Sequence, residues 1–329
     1  VAGQVQSEIR KKLLDAFTNA GETFLSGQYL AELIGCSRTA VWKHMEELRK
    51  EGFTLEAVRN KGYRIVKTPE SITPDEIRLG LSTNFIGMNI HFEESVESTQ
   101  KIAHLLSNEG VPEGTVVIAE EQRSGKGRMN RSWHSPKYTG IWMSLIIRPN
   151  IPLTKAPQLT LLTAVAIVQA IEEITSLIPE IKWPNDILIN GKKITGILTE
   201  LQAEADQIHS VIIGMGINVN QKKEDFPAEL QGSASSLLIE KGDPISRSEL
   251  IRSIFTHFEK LYLLYLEQGF YPIKLLWEGY AISIGKNLKA RTLTNVIEGR
   301  ALGITDDGVL QLEDKTGTIH HIYSADIEI

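Results

Sequence analysis

Cysteine occurs once in these 329 residues, as Cys36, so the chain can close no intrachain disulfide and assemble no thiolate zinc cluster. The 8 histidines are scattered, and none belongs to an HExxH-type ligand pair. No apolar run is long enough to cross a bilayer. The greasiest, LLTAVAIVQAI at 161–171, is broken by Thr163 and Gln169. The opening VAGQVQSEIRKK has neither the apolar core nor the cleavage site of a secretory signal, so a reducing cytoplasm is the expected setting. A Walker loop, GxxxxGK followed by Ser or Thr, is absent. What is present is ordinary globular composition, 42% hydrophobic and 23% charged, in more sequence than one compact core uses. Two or three domains are expected.

Charge is unevenly spread. Basic residues outnumber acidic ones over residues 1–68, and the rest carries the acidic excess behind the net charge of −6. In that basic head, Ile9, Leu13, Leu14 and Phe17 form one helical stripe that ends at Asn19-Ala20-Gly21. Ser26 can cap a short helix carrying Leu30, Leu33 and Ile34. Gly35 supplies a turn, and Ser37 caps a second helix that Gly52 stops. Two helices on a tight glycine turn are the helix-turn-helix layout. Spacing places Val41, His44, Met45 and Leu48 on one face, with Arg38, Thr39, Trp42, Lys43 and Glu46 on the other. Ser37, Arg38, Thr39, Trp42 and Lys43 are therefore candidates for contact with DNA in a major groove. Strand-like runs at 53–58 and 63–66 flank a hairpin tip whose Arg59 and Lys61, with nearby Arg64, suit phosphate contact as a wing. A helical hairpin used only for protein contact is the competing reading. VKTPESITPDEIR follows as a linker, placing a boundary near residues 68–74.

Beyond residue 90 strands and helices alternate. Strands are expected at 115–119, 141–147, 186–189, 193–201 and 210–218, and helices at 99–108, 156–177 and 247–267. Asn190-Gly191 between two strand runs signals a type I′ hairpin, so part of the sheet is antiparallel and the class is α+β. GKGRMNRSW at 125–133 is an anion grip or a solvated basic loop. Its third glycine position is Asn130, so it is not a dinucleotide loop. Gly125 and Gly127 permit close backbone approach, and Lys126, Arg128 and Arg131 can close over a polyanion. Lys182, at a strand end before the rigid Trp183-Pro184 step, is better held for stabilising charge than a loop cation. ESTQ at 97–100 reads as a helix start with hydroxyl caps, and Gly214 and Gly216 as close-packing glycines. From residues 287 to 329, short β-rich segments broken by Asp306-Asp307-Gly308 and Lys315-Thr316-Gly317 suit a small barrel.

Taken together, ESTQ, EEQRSGKGRMNRSW, KWPNDILINGKKITGIL and VIIGMGINVN resemble the biotin protein ligases. With the helix-turn-helix ahead of them, the chain is similar to the bifunctional members that also repress a biotin operon. The resemblance implies a winged helix-turn-helix at 1–68, a catalytic domain at 69–282 like the class II aminoacyl-tRNA synthetases, and an SH3-like domain at 283–329. It implies that biotin and ATP, with Mg²⁺, give biotinyl-adenylate, from which a lysine of the biotin carboxyl carrier protein takes the biotin. Matched position by position, Ser98, Thr99, Gln100 and Gln122 would bind biotin. Gly125, Lys126, Gly127 and Arg128 would form the lid over the adenylate, and Lys182 and Arg128 would serve the reaction. Asn218 would meet the adenine, and the stretch 221–229, with Phe226, would close over it. No residue is singled out as a metal ligand. Where the family loop reads GRGR, this chain has Lys126, which keeps the charge but loses the planar two-point fork. The resemblance also implies a homodimer when adenylate is bound, reading a palindromic operator, with Met129 a candidate contact. A non-enzymatic biotin-sensing repressor and a lipoate-ligase-like enzyme are the alternatives.

Overall fold

The computed structural model describes residues 2–50, 53–67, 72–204, 207–292 and 294–328. It divides into two compact units, Val1–Ser82 and Thr83–Ile329.

The first unit holds α1 (Ala2–Ala20), α2 (Gly27–Ile34), α3 (Arg38–Lys50), the pair β1 (Thr54–Val58) and β2 (Gly62–Lys67), and α4 (Pro74–Arg78). Ser26 Oγ accepts from the Tyr29 N–H at 3.0 Å, Gly35 ends α2 at φ 68°, and Ser37 Oγ accepts from the Ala40 N–H at 3.2 Å. These are the caps and turn that the local sequence calls for. Leu13, Leu14, Phe17, Leu30, Ile34, Val41, Met45, Leu48 and Phe53 close one core. Two residues depart from expectation. Leu33 points outward, because a residue next to buried Ile34 is turned about 100° around the helix. His44 stays at the margin of the core, its Nδ1 3.2 Å from Glu47, since a polar ring gains more from a carboxylate than from apolar burial. The helix stop expected at Gly52 and residues 68–71 of the expected linker lie outside the described residues. Gly62 cannot be replaced without moving backbone: a Cβ there would sit 1.9 Å from the Leu25 carbonyl oxygen. Leu25 and Tyr63 exchange two backbone hydrogen bonds of 2.8 Å, stitching the hairpin to the segment before α2.

The second unit runs β3 (Ile90–Glu93), α5 (Thr99–Asn108), β4 (Val116–Ala119), β5 (Gly140–Ile147), α6 (Ala156–Thr175), β6 (Glu180–Lys182), β7 (Asp186–Ile189), β8 (Lys192–Glu204) and β9 (Gln207–Asn218). It continues with α7 (Leu237–Lys241), α8 (Arg247–Gln268), α9 (Tyr271–Tyr280) and strands β10 (Asn287–Arg291), β11 (Val296–Ile304), β12 (Leu310–Glu313), β13 (Ile319–Ile322) and β14 (Asp326–Glu328). Seven strands form one sheet in the order β3-β4-β5-β9-β8-β7-β6, antiparallel except for β3 beside β4. Asn190 and Gly191 take φ 52° and 75°, the left-handed pair that a type I′ turn demands, between β7 and β8. The α+β class is as expected. The last five strands make a separate antiparallel sheet, β13-β12-β11-β10-β14.

Leu153–Thr175 is long and apolar enough to cross a membrane, longer than the uninterrupted run suggests, but 72% of its apolar window is buried inside the protein. It is a core helix packed on α8. Arg247, at the start of α8, donates from Nη1 to Glu120 Oε2 at 2.7 Å and to the Gly140 carbonyl at 3.1 Å, and from Nη2 to Glu120 Oε1 at 3.2 Å. With both side chains almost fully enclosed, this pair fixes α8 against the ends of β4 and β5. β3, α7 and α9 were not legible in the sequence, and residues 74–78 of the run read as a linker instead form α4, capped by Thr73 with Ile77 buried. β3 shows no alternation of buried and exposed residues, and α7 and α9 are short.

Candidate functional site

A cavity of about 410 Å³ opens where the start of α5, the loop 122–134 and strands β5, β8 and β9 converge. Ser98, Thr99, Gln100, Gln122, Lys126, Gly127, Arg128, Lys182 and Asn218 all line it. Gly125 is placed behind the wall, buried. A Cβ on it would lie 2.7 Å from the Trp133 carbonyl oxygen, 2.9 Å from Ser135 Oγ and 3.0 Å from Gln122 Nε2.

One end of the cavity is a buried polar network. Ser144 Oγ donates to Gln100 Oε1 at 2.8 Å, and Gln100 Nε2 reaches the carbonyls of Ile212 and Leu198 at 3.2 and 3.3 Å. Thr99 Oγ1 lies 2.8 Å from Ser144 Oγ and 3.2 Å from Gln122 Oε1, so its single proton is shared between two neighbours of the same network. The Thr99 backbone N–H then serves Gln122 Oε1 at 2.9 Å, and Gln122 Nε2 donates to Ser135 Oγ at 3.0 Å. The expected hydroxyl caps are absent here: Ser98 stands at the N-cap without a capping bond, and Thr99 is spent on the network. A polar ligand end meets donors and acceptors already oriented.

Loop 125–133 is a small hairpin. The Gly127 N–H donates to the Arg131 carbonyl at 2.8 Å and the Trp133 N–H to the Gly125 carbonyl at 2.9 Å, with Met129 and Asn130 left-handed at the tip. Its cations are not all free to close on an anion, as the sequence suggests. Arg128 donates to Asn185 Oδ1 at 3.0 Å and to Ser324 Oγ at 2.7 Å, and Arg131 is paired with Asp326. Burial pushes the Arg128 guanidinium down from its ordinary pKa, against the opposing pull of Asp186 and Asp326. Lys126 makes no hydrogen bond or ion pair with a described residue and is exposed at the cavity rim.

The run Lys182–Asp186 connects the parts. Trp183 Nε1 donates to the Gly308 carbonyl at 3.2 Å, and Asn185 both accepts from Arg128 and donates to the Ile197 carbonyl at 3.0 Å. Asp186 holds Lys193 at 2.7 Å, and the Lys193 ammonium sits 5.3 Å from the centroid of the Trp133 ring. No described residue forms a hydrogen bond or close ion pair with the Lys182 ammonium, which senses the carboxylate of Glu328 at longer range. Placed at the end of β6, it is available to an anion in the cavity.

Gly214 and Gly216 line the cavity as well as packing. A Cβ on Gly216 would meet Trp133 Nε1 at 2.3 Å, and one on Gly214 would meet Gln100 Oε1 at 2.7 Å. The glycines thus let the indole and the Gln100 amide lie flat on β9. Asn218 ends that strand, and the 221–229 stretch is anchored by fully buried Gln221 and by Phe226, 5% exposed, with a short turn between them. Ser135, Ser144, Asn185 and Lys193 were missed as site residues. Asn185 and Lys193 lie in the run KWPNDILINGKKITGIL that the sequence marks out, whereas nothing local marks Ser135 or Ser144.

In the first unit, Arg38, Thr39, Trp42 and Lys43 are exposed on one face of α3, with Trp42 55% exposed. Ser37 is committed to its cap. Arg59 and Lys61 are exposed at the β1–β2 tip. Arg64 is not available in the same way, since it pairs with Glu56 at 2.7 Å and lies over the Phe24 ring.

Three family models match the chain: an HTH domain at 10–64, the Biotin/lipoate A/B protein ligase family at 92–218 and the Biotin protein ligase C terminal domain at 283–329. The chain is 56% identical over 325 residues to the bifunctional ligase/repressor BirA of Bacillus subtilis, covering 99% of this chain and 100% of that one. It is 28% identical to the BirA of Escherichia coli over 92% of its length and 91% of the relative's. Among solved structures, the biotin protein ligase from Aquifex aeolicus in complex with biotin and ATP matches 73% of this chain and 97% of that one at 28% identity and TM-score 0.63. With this similarity spanning nearly every residue, and with a helix-turn-helix unit, a ligase core and a C-terminal β-sheet in the same order, the chain belongs to the family of bifunctional BirA ligase/repressors.

Proposed function

We propose that this chain is an ATP-dependent biotin protein ligase that also represses a biotin operon. The observation that carries the reading is the convergence, in one cavity, of a polar network, a lid hairpin and the Lys182 ammonium, which no described side chain hydrogen-bonds. Biotin's ring system would meet the Thr99–Gln100–Gln122 end, leaving its carboxylate toward Lys182. A carboxylate oxygen attacks the α-phosphorus of ATP, the bond to the β-phosphate bridge breaks and pyrophosphate leaves. Two anions must approach one another, so Lys182, Lys126 and Arg128 lower the barrier by offsetting charge that develops in the transition state. Mg²⁺ enters as part of the substrate, on the phosphates. In the second step a lysine amine of the biotin carboxyl carrier protein attacks the acyl carbon. The acyl–phosphate C–O bond breaks, AMP departs and the amine's proton goes to solvent.

On this reading the domains are 1–68, 69–282 and 283–329: a winged helix-turn-helix with β1–β2 as its wing, a catalytic domain like the class II aminoacyl-tRNA synthetases, and an SH3-like barrel of β10–β14. The exposed face of α3 enters the operator's major groove while Arg59 and Lys61 take phosphates. Adenylate-bound chains pair as a homodimer in the cytoplasm, with exposed Met129 near the contact.

Incubation with biotin, ATP, Mg²⁺ and apo carrier protein should yield biotin-dependent pyrophosphate and labelled carrier. Absence of both would leave a non-enzymatic sensor, and labelling by lipoate instead of biotin would point to the lipoate branch. Operator binding should tighten with biotin and ATP together, and binding indifferent to both would remove corepression.

A further inference from the structure

Asn218 lines the cavity, is 4% exposed, and its Oδ1 accepts a hydrogen bond of 3.0 Å from Nε2 of Gln221, which is fully buried. Asn218 Nδ2 has no partner among the described residues. The segment that carries Gln221 cannot drift. Ser236 Oγ donates to the Gln221 carbonyl at 2.6 Å, the Asn220 N–H donates to the Thr139 carbonyl at 2.6 Å, and the Asn220 side chain exchanges two bonds of 2.9 Å with the backbone of Ile245.

From this geometry we infer that Gln221 is a positioning residue that sets base specificity, by fixing which way the Asn218 amide faces. The inference rests on the reading that Asn218 meets the nucleotide base. A carboxamide carries its acceptor and donor on one carbon, so holding Oδ1 toward Gln221 leaves Nδ2 as the atom offered to a ligand. Reversing Asn218 alone would set two NH₂ groups against each other in a buried place. Reversing both amides would exchange the unmatched acceptor Gln221 Oε1 for a second unmatched proton on Gln221 Nε2, and an orphaned buried donor is the rarer and costlier of the two. The present orientation is the less costly one. Adenine offers a ring-nitrogen acceptor beside its N6 donor, the complement of an amide whose N–H leads and whose second oxygen lone pair follows. A 6-oxo purine presents an acceptor where adenine has that donor, and the locked amide cannot turn to suit it.

Two variants test this. Gln221→Glu, ionised, can only accept, so Asn218 should reverse to donate to it. Gln221→Met keeps the length and removes the lock. Biotin-dependent pyrophosphate release is measured with ATP and with ITP, alongside thermal unfolding and the KM for biotin. For both variants the KM for ATP should rise and the preference for ATP over ITP should narrow by about tenfold, within the range one base-reading amide supplies. kcat with ATP and the KM for biotin should stay within about twofold, because the reacting end is untouched. An unchanged ATP/ITP preference in folded Gln221→Met overturns the inference, whatever Gln221→Glu does. Asn218→Ala separates the two layers: if it leaves the KM for ATP unchanged, the base-contact reading fails, whereas a raised KM beside an unchanged Gln221→Met preference rejects the lock alone.

Discussion

Arg128 on the lid and Asn185 in the Lys182–Asp186 run are joined by a 3.0 Å hydrogen bond, and the Arg128 side chain continues to Ser324 just before β14. The lid is therefore tied at its tip to the element that carries Lys182 and to the C-terminal sheet. Lys126, one residue from Gly125, has no such ties among the described residues and lies exposed at the cavity rim.

Lys126→Arg restores a planar fork at that position. Retention of the adenylate should lengthen, with dissociation slowed about fivefold, as expected when a point charge becomes a bidentate grip. A chase of pre-formed labelled adenylate with excess biotin and ATP measures it, and an unchanged rate would show that Lys126 does not touch the anhydride.

Lys182→Ala should lower kcat for adenylate formation by roughly 10²–10³-fold, the effect of removing one pre-organised stabiliser of transition-state charge. Biotin affinity, measured by calorimetry, should move far less, because the network of Thr99, Gln100, Gln122 and Ser144 remains. Equal losses in both would make Lys182 a ground-state binding residue.

Gly216→Ala puts a methyl 2.3 Å from Trp133 Nε1. The indole must leave β9 and enter the cavity or the rim, so affinity for biotin and ATP should fall at least about tenfold, in line with overpacking costs of ~1–3 kcal/mol. Retained affinity would mean that Trp133 has an alternative place outside the site.

Arg247→Ala leaves Glu120 charged and enclosed, so unfolding free energy should drop by ~3–5 kcal/mol. The Glu120→Ala, Arg247→Ala double variant should lose less than the sum of the singles, since neither charge is then stranded. Urea unfolding of the four proteins completes the cycle.

Glu259 supplies a pH test. Burial raises its pKa, but the N–H groups of Ile86, Asn84 and Phe85, with the Asn84 side chain, together outweigh it, and the net pKa lies below the ordinary 4.5. A carboxyl depressed on folding contributes stability that is full above the unfolded value and disappears as pH falls through the folded one. Glu259→Gln should therefore be less stable than the parent near pH 7, with the gap closing below about pH 4.5 as the parent's carboxylate is protonated. A gap constant down to pH 3 would show that the charge contributes nothing.

Local signals carried a good deal of this. Ser26, Gly35 and Ser37 mark the ends of α2 and α3 because capping and left-handed turns depend on the residue at one position. Asn190-Gly191 marks the β7–β8 hairpin for the same reason. The runs around 98–100, 122–128 and 182–186 stand in the sequence as chemistry in search of a site, and they do line one cavity.

Only the tertiary structure decided how that chemistry is held. Arg131 looks like a lid cation until Asp326, far along the chain, is seen to neutralise it. Ser144 is invisible as a site residue until α5 lays Thr99 and Gln100 across β5, and Gly216 looks like simple packing until Trp133 covers it. The reason is physical. Caps, turns and periodic faces are set by contacts within a few residues and can be read along the chain, whereas hydrogen-bond partners, charge neutralisation and cavity walls come from residues that only folding brings together.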